Sequence, residues 1–214
     1  MASRIYAVLI ADVLESSSRP GMRALLGKKL DAVSKRHLQR KLVNLPYSVT
    51  AGDEFQTVTG NLPSIPAVIL DLRAMLRPLS LRIGIGIGHV SDRIQPPVNR
   101  LSGEAFQFAR KAIENIKTGN LFKFQVLTAF VSRYEHFDKT INLIYGLHDT
   151  LVLKITERQW ETIQEFLDSP TLEHTAKRLK LDNSTVSRNL KRGYYWQLTE
   201  TVTTAGSLIK RTFC

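Results

Sequence analysis

Between Leu79 and Val90 the chain reads LSLRIGIGIGHV, and this alternation of branched residues with glycine constrains its folding more than any other stretch. Strand side chains alternate with period two, so Gly84, Gly86 and Gly88 fall on one face of a strand. Three positions without side chains open that face to the close approach of a helix or a ligand. After a Pro-containing loop from Gln95 to Asn99, the pattern predicts a helix over Gly103 to Lys117.

Other segments frame this strand. Residues 4–11 (RIYAVLIA) form a short apolar run ending at Asp12, as a buried strand does. Ser16 to Gly21 supply caps and breakers before a helix through about Gln39, with Met22, Leu25, Leu26, Leu30, Val33 and Leu38 at helical spacing. Tyr47–Thr50 and Phe55–Thr59 flank Ala51-Gly52-Asp53-Glu54, a hairpin with a Gly-Asp turn. A helix over Pro63 to Leu76 follows, and a last strand is predicted from Phe122 to Thr128. The first six elements run βαββαβ, so the expected fold class is α+β with a ferredoxin-like core.

Residues 139–155 read as a helix apolar on one side, a connector and a candidate dimer helix. Beyond it, Thr156 caps a helix through about Leu167, Thr171 to Leu179 forms a second, and Asn183 to about Arg192 forms a third. Ala176, Leu179, Val186 and Leu190 have helix-turn-helix spacing, in which a small residue lets two helices cross and branched residues fill the wedge. The third helix would then present Asn183, Ser184, Thr185, Ser187 and Arg188 to base edges, and Lys191 and Arg192 to phosphates. Lys180 holds the turn position where glycine is usual; a purely structural three-helix bundle is the competing reading. The resulting division is 1–135, 136–155 and 156–214.

Charge points toward polyanionic partners, since the formal net charge is +11. It is unevenly spread. Arg19 to Lys41 carries eight basic residues against Asp31 alone, whereas 156–214 carries nine basic and seven acidic groups. The first stretch reads as a solvated helix face, with a phosphate contact or an anion funnel as the alternative. No apolar run reaches the roughly 20 residues of a membrane helix, and Cys214 alone excludes internal disulfides and thiolate metal sites. A cytoplasmic location is expected.

Several stretches resemble the class III nucleotidyl cyclases and GGDEF domains. Ala7–Asp12 is similar to their first strand, Thr50–Phe55 to their hairpin with its Gly-Asp-Glu-Phe, Arg82–Val90 to the strand that follows, and Gly103–Arg110 to a late helix. With the appended helix-turn-helix, the whole chain resembles the SatD family. The resemblance implies that Asp12 and Asp53 hold Mg²⁺ across nucleotide phosphates, with Glu54 assisting and Gly52 shaping the turn. Paired carboxylates suit a hard divalent cation, and the backbone after Asp12, from Val13 to Ser16, offers amides to phosphate oxygens. Asp12 as a cap and Asp53 as a turn residue is the plainer alternative. Where the cyclases place asparagine and arginine four residues apart, this chain has Gln107 and Lys111, with Arg110 adjacent. Lysine lacks the planar fork of arginine. No catalytic residue is therefore assigned, and the domain suits holding a nucleotide better than cyclising one.

Together these readings predict a homodimeric DNA-binding regulator that senses a nucleotide or cyclic (di)nucleotide, with no membrane partner. An active nucleotidyl cyclase with a DNA-binding appendage is the alternative; constitutive DNA binding, with the first domain serving only to dimerise, is a third. His89 and His174 are expected at the surface or satisfied. Trp196, with Tyr194 and Tyr195, is expected to pack between the domains, and the tail bearing Val202, Ala205, Leu208 and Ile209 to contribute to a dimer interface.

Overall fold

A computed structural model describes residues 4–14, 22–50, 52–91 and 93–214. The fold is mixed α and β. Strands β1 (Ile5–Val13), β2 (Ser48–Val49), β3 (Phe55–Thr59), β4 (Leu81–His89) and β5 (Thr128–Val131) form one sheet in the order β2-β3-β1-β4-β5. Central β1 is antiparallel to both neighbours, pairing Ile10 with Gln56 on one side and with Gly84 on the other, while β5 runs parallel to β4.

The alternation in β1 decides which layer each residue joins. Ala7, Leu9, Ala11 and Val13 face a core built from α1 (Met22–Gln39), α2 (Ile65–Met75), α4 (Glu135–Val152) and α8 (Tyr195–Phe213). Val8 and Ile10 face the other side, where Ala105, Ala109 and Ile113 of α3 (Glu104–Thr118) cover them. The glycine stripe sets how close α3 lies. A Cβ on Gly86 would stand 2.1 Å from the Ala105 carbonyl and 2.2 Å from the Ala109 amide, and one on Gly84 would stand 2.7 Å from the Ile113 amide. The open face of the strand thus receives a helix backbone.

Three helices follow α4 at the expected places: α5 (Glu157–Asp168), α6 (Leu172–Leu179) and α7 (Asn183–Arg192). Each begins on a side-chain cap. Thr156 and Gln159 make a reciprocal capping box, the Thr171 hydroxyl accepts from the His174 amide, and Asp182 accepts from the Thr185 amide at 2.8 Å. Lys180 ends α6 at φ +54°, the left-handed turn expected there. Trp160, Ile163, Ala176, Val186, Leu190 and Leu198 form a core that also takes in Leu70 and Ala74 of α2 and Val152 of α4. The C-terminal helices therefore share packing with the sheet layer.

Four details differ from the sequence expectations. The last strand starts at Thr128, because Phe122 and Phe124 stack with ring centroids 5.0 Å apart and lie over Gly146 of α4 instead of pairing in the sheet. The helix expected from Lys139 begins at Glu135 and docks on the sheet through Phe137, Ile141 and Tyr145. In α8, Ala205 and Ile209 are buried within the chain against α2 and α4, so they are not free for a second copy. Trp196 is 53% exposed, since Tyr195 rather than Trp196 turns inward, edge-on to Phe166. Part of the basic stretch in α1 is used internally: Arg36 pairs with Asp71 of α2 and Asp168 of α5. Among the described residues, no helix is long and apolar enough to cross a membrane.

Candidate functional site

Asp12 stands near the end of β1, and the register places Arg82 of β4 directly opposite. Arg82 Nε donates to Asp12 Oδ1 at 2.7 Å, and Lys117 Nζ, from the last turn of α3, lies 2.9 Å from Oδ2. Both oxygens of this buried carboxylate already face a cation. Asp53 sits alongside, its Oδ2 accepting from the Val13 amide at 3.2 Å, so that amide is committed to a side chain. Gly52 takes φ +63° in the turn, a left-handed conformation that favours glycine.

Glu54 links the hairpin to α3. Its Oε2 accepts from Arg110 Nη1 at 2.5 Å and its Oε1 from the Thr50 hydroxyl at 2.8 Å. Partial burial pushes its carboxyl upward, but those two hydrogen bonds and the charges of Arg110 and Lys117 outweigh it, leaving the group below the usual carboxylate range. Asp12, Asp53 and Glu54 thus gather with Arg82, Lys117 and Arg110 as three acids among three bases. Gln107, Arg110 and Lys111 are exposed on α3, where they line a cleft of about 650 Å³ floored by Ile10 and Gln56. Ser16 lies outside the described residues.

Sequence reading missed Arg82 and Lys117 as partners of Asp12. The Arg82 pairing was legible only once β1 and β4 were placed in register, and the reach of Lys117 depends on the close seat of α3. Among the described residues, no group of three or more His, Cys, Asp or Glu side chains is arranged to hold a metal ion. Asp12 and Asp53 could share one only if Lys117 swung away, which its long partly exposed side chain permits. Replacing Lys117 by methionine is accordingly expected to tighten any Mg²⁺ binding at these carboxylates about fivefold, since such a pair contributes up to ~1 kcal/mol. Titration calorimetry with Mg²⁺ checks this; a variant that titrates like its parent would exclude competition by Lys117.

Among the C-terminal helices, α7 buries Val186 and Leu190 and turns Asn183, Ser184, Ser187, Arg188, Lys191 and Arg192 to solvent, with Thr185 half-buried. The Ser184 and Thr185 hydroxyls both donate to Asp182, at 2.5 and 2.7 Å. These bonds hold the Asp182 carboxyl well below its ordinary value, so the cap's contribution is present at neutral pH and is lost as pH falls below the normal aspartate range. Arg188, Lys191 and Arg192 make no ion pair with any described residue. His174 is half-exposed beside Glu165, and the His89 amide donates to Glu104 at 3.2 Å.

The sequence pattern of the SatD family matches residues 6–208, and the chain belongs to that family. No curated protein matches it. Among solved structures, a bacterial light-regulated adenylyl cyclase aligns at 14% identity and TM-score 0.42, over 61% of this chain and 77% of its own. A second light-regulated adenylyl cyclase structure aligns at 16% and 0.42, over 59% and 42%. A regulator of polyketide synthase expression from Bifidobacterium adolescentis aligns at 14% and 0.27, over 97% and 85%.

Proposed function

We propose that this member of the SatD family is a ligand-responsive DNA-binding regulator, in which α5–α7 act as a helix-turn-helix and the sheet domain holds a nucleotide or cyclic (di)nucleotide. The observation that carries the reading is the division of α7: its branched residues are buried while its polar and cationic ones face solvent without ion-pair partners. A helix reading a major groove needs that division, and Asn183, Ser187 and Arg188 are its base-edge donors, because the Ser184 and Thr185 hydroxyls already donate to Asp182. The left-handed turn at Lys180 and the burial of Ala176 with Val186 and Leu190 support it. A homodimer follows from the reading, because such helices usually address two half-sites.

The sheet domain reads as ferredoxin-like, supported by the order β2-β3-β1-β4 with β1 antiparallel to both neighbours. Nucleotide phosphates would be met by Arg110 and Lys111, exposed cations that line the cleft beside α3. When bound at Asp12 and Asp53, Mg²⁺ would supply charge neutralisation on those phosphates. The core shared by α2, α5 and α8 gives a physical route between ligand and DNA, provided the ligand binds two conformations unequally.

Arg188→Ala is expected to weaken binding to a duplex selected from random sequence by about 1–3 kcal/mol, the range for removing a bidentate hydrogen-bond pair to guanine. Fluorescence anisotropy measures it; unchanged affinity would remove Arg188 from the interface. The active-cyclase reading rests on the presence of both Asp12 and Asp53. Incubation with ATP or GTP and Mg²⁺ or Mn²⁺ separates the two: cyclic product at steady turnover, abolished by Asp53→Asn, would replace the sensor assignment.

A further inference from the structure

A small cavity of about 130 Å³ lies where the sheet layer meets the C-terminal helices, far smaller than the cleft beside α3. Arg73 of α2, Arg77 just beyond it, Leu127, Val152 at the end of α4 and Trp160 of α5 line it. A single water needs on the order of 10–15 Å³ by the same measure, so the space admits several waters or one polyatomic ion.

Its chemistry is one-sided. Arg73 and Trp160 are both almost fully buried, and Arg73 Nε and Trp160 Nε1 have no hydrogen-bond partner. Both atoms can only donate. Orphaned donors of this kind are rare in a packed interior and call for an acceptor. The other Arg73 nitrogens are used: Nη1 donates to the Leu81 carbonyl at 3.2 Å, and Nη2 to Thr128 Oγ1 at 2.7 Å and Asp149 Oδ1 at 3.0 Å. Arg77 stands one helical turn on, with its guanidinium carbon 6.0 Å from the centre of the Trp160 ring, and pairs at the rim with Glu157. Burial, and then the like charge of Arg73, lower the basicity of Arg77. An anion between the two guanidiniums would relieve that repulsion. Ser80 also lines the cavity.

We propose that this cavity is a binding site for a small oxyanion, of the size and charge of inorganic phosphate or sulfate, held by Arg73 Nε, Trp160 Nε1 and Arg77. Its walls come from α2, α4 and α5, so the bound ion braces the three-helix unit against the sheet layer. The site is separate from the Asp12 cluster and does not rest on the nucleotide or DNA readings.

Trp160 reports on it directly, because the chain has only two tryptophans. In Trp196→Phe protein, Trp160 emission is followed while phosphate or sulfate replaces chloride at constant ionic strength. A saturable change with a midpoint at millimolar concentration or below is expected, together with a raised thermal midpoint. In the same background Arg77→Gln weakens the midpoint about tenfold, as removal of a charge-assisted hydrogen bond does. Glu157→Gln, which removes the competing carboxylate at an exposed position, strengthens it. Lys117→Met leaves it unchanged, which separates this site from the Asp12 cluster. A linear drift without saturation, or Arg77→Gln titrating like its parent while folded by circular dichroism, overturns the proposal. A Glu157→Gln midpoint that does not strengthen overturns it as well.

Discussion

Gly86→Ala is expected to cost about 3 kcal/mol or more, above the usual range for one added methyl in a core. The methyl would meet the backbone of α3, 2.1 Å from the Ala105 carbonyl and 2.2 Å from the Ala109 amide, and no rotamer change relieves a backbone clash. The helix must withdraw, opening the packing of Ala105, Ala109 and Ile113 on Val8 and Ile10. Arg110 and Lys117 move with it, so their ion pairs to Glu54 and Asp12 break as stability falls. At ~2–4 °C per kcal/mol for a chain of this length, the thermal midpoint should fall by about 10 °C. Gly27→Ala in α1 is the control, because its added Cβ meets nothing within 4 Å. Thermal melts of the two variants give the comparison; equal melts would mean that α3 is not seated on the glycine stripe.

The second large effect concerns a charge pair in the interior. Asp149 is fully buried, and its oxygens accept from Arg73 Nη2 at 3.0 Å, from the Leu127 amide at 2.7 Å and from the Thr128 hydroxyl at 3.2 Å. One carboxylate on α4 thereby fixes an arginine of α2 and the entry into β5. Asp149→Ala strands the buried Arg73 charge and is expected to cost about 3–5 kcal/mol. Chemical denaturation measures the change. The double variant Arg73→Met, Asp149→Leu should recover the part due to the stranded charge, but not the part due to the Leu127 amide, which leucine leaves without its acceptor. If Asp149→Ala alone unfolds at the same denaturant concentration as the parent, the pair does not anchor α4.

These two sites differ in how far the sequence discloses them. The stripe of Gly84, Gly86 and Gly88 is a local pattern, and the need for a close neighbour follows from the period of a strand. What it could not say was whether helix or ligand filled the gap. The bounds of α5, α6 and α7 were equally legible, since Thr156, Thr171 and Asp182 are local caps and Val186 and Leu190 keep helical spacing. The Arg73–Asp149 pair gave no local signal: its members are 76 positions apart and each sits among apolar residues that read simply as helix. The start of β5 was missed for a related reason. Phe122 and Phe124 have strand-like character, but their best burial is against each other and Gly146. In the candidate site, Asp12, Asp53 and Glu54 were visible as acids at strand ends. The neutralisation of Asp12 by Arg82 and Lys117, and of Glu54 by Arg110, appears only when β1, β4, α3 and the hairpin are assembled.

The central assignment, duplex binding through α7, is tested most directly by anisotropy titration of a labelled duplex pool across a range of salt concentrations. Cooperation of Arg188, Lys191 and Arg192 with the phosphates predicts that log affinity falls linearly with log salt. It also predicts that replacing all three by alanine flattens that slope by about 0.9 for each phosphate no longer neutralised. Affinity that is absent at low salt, or a slope that the triple replacement leaves unchanged, would contradict it.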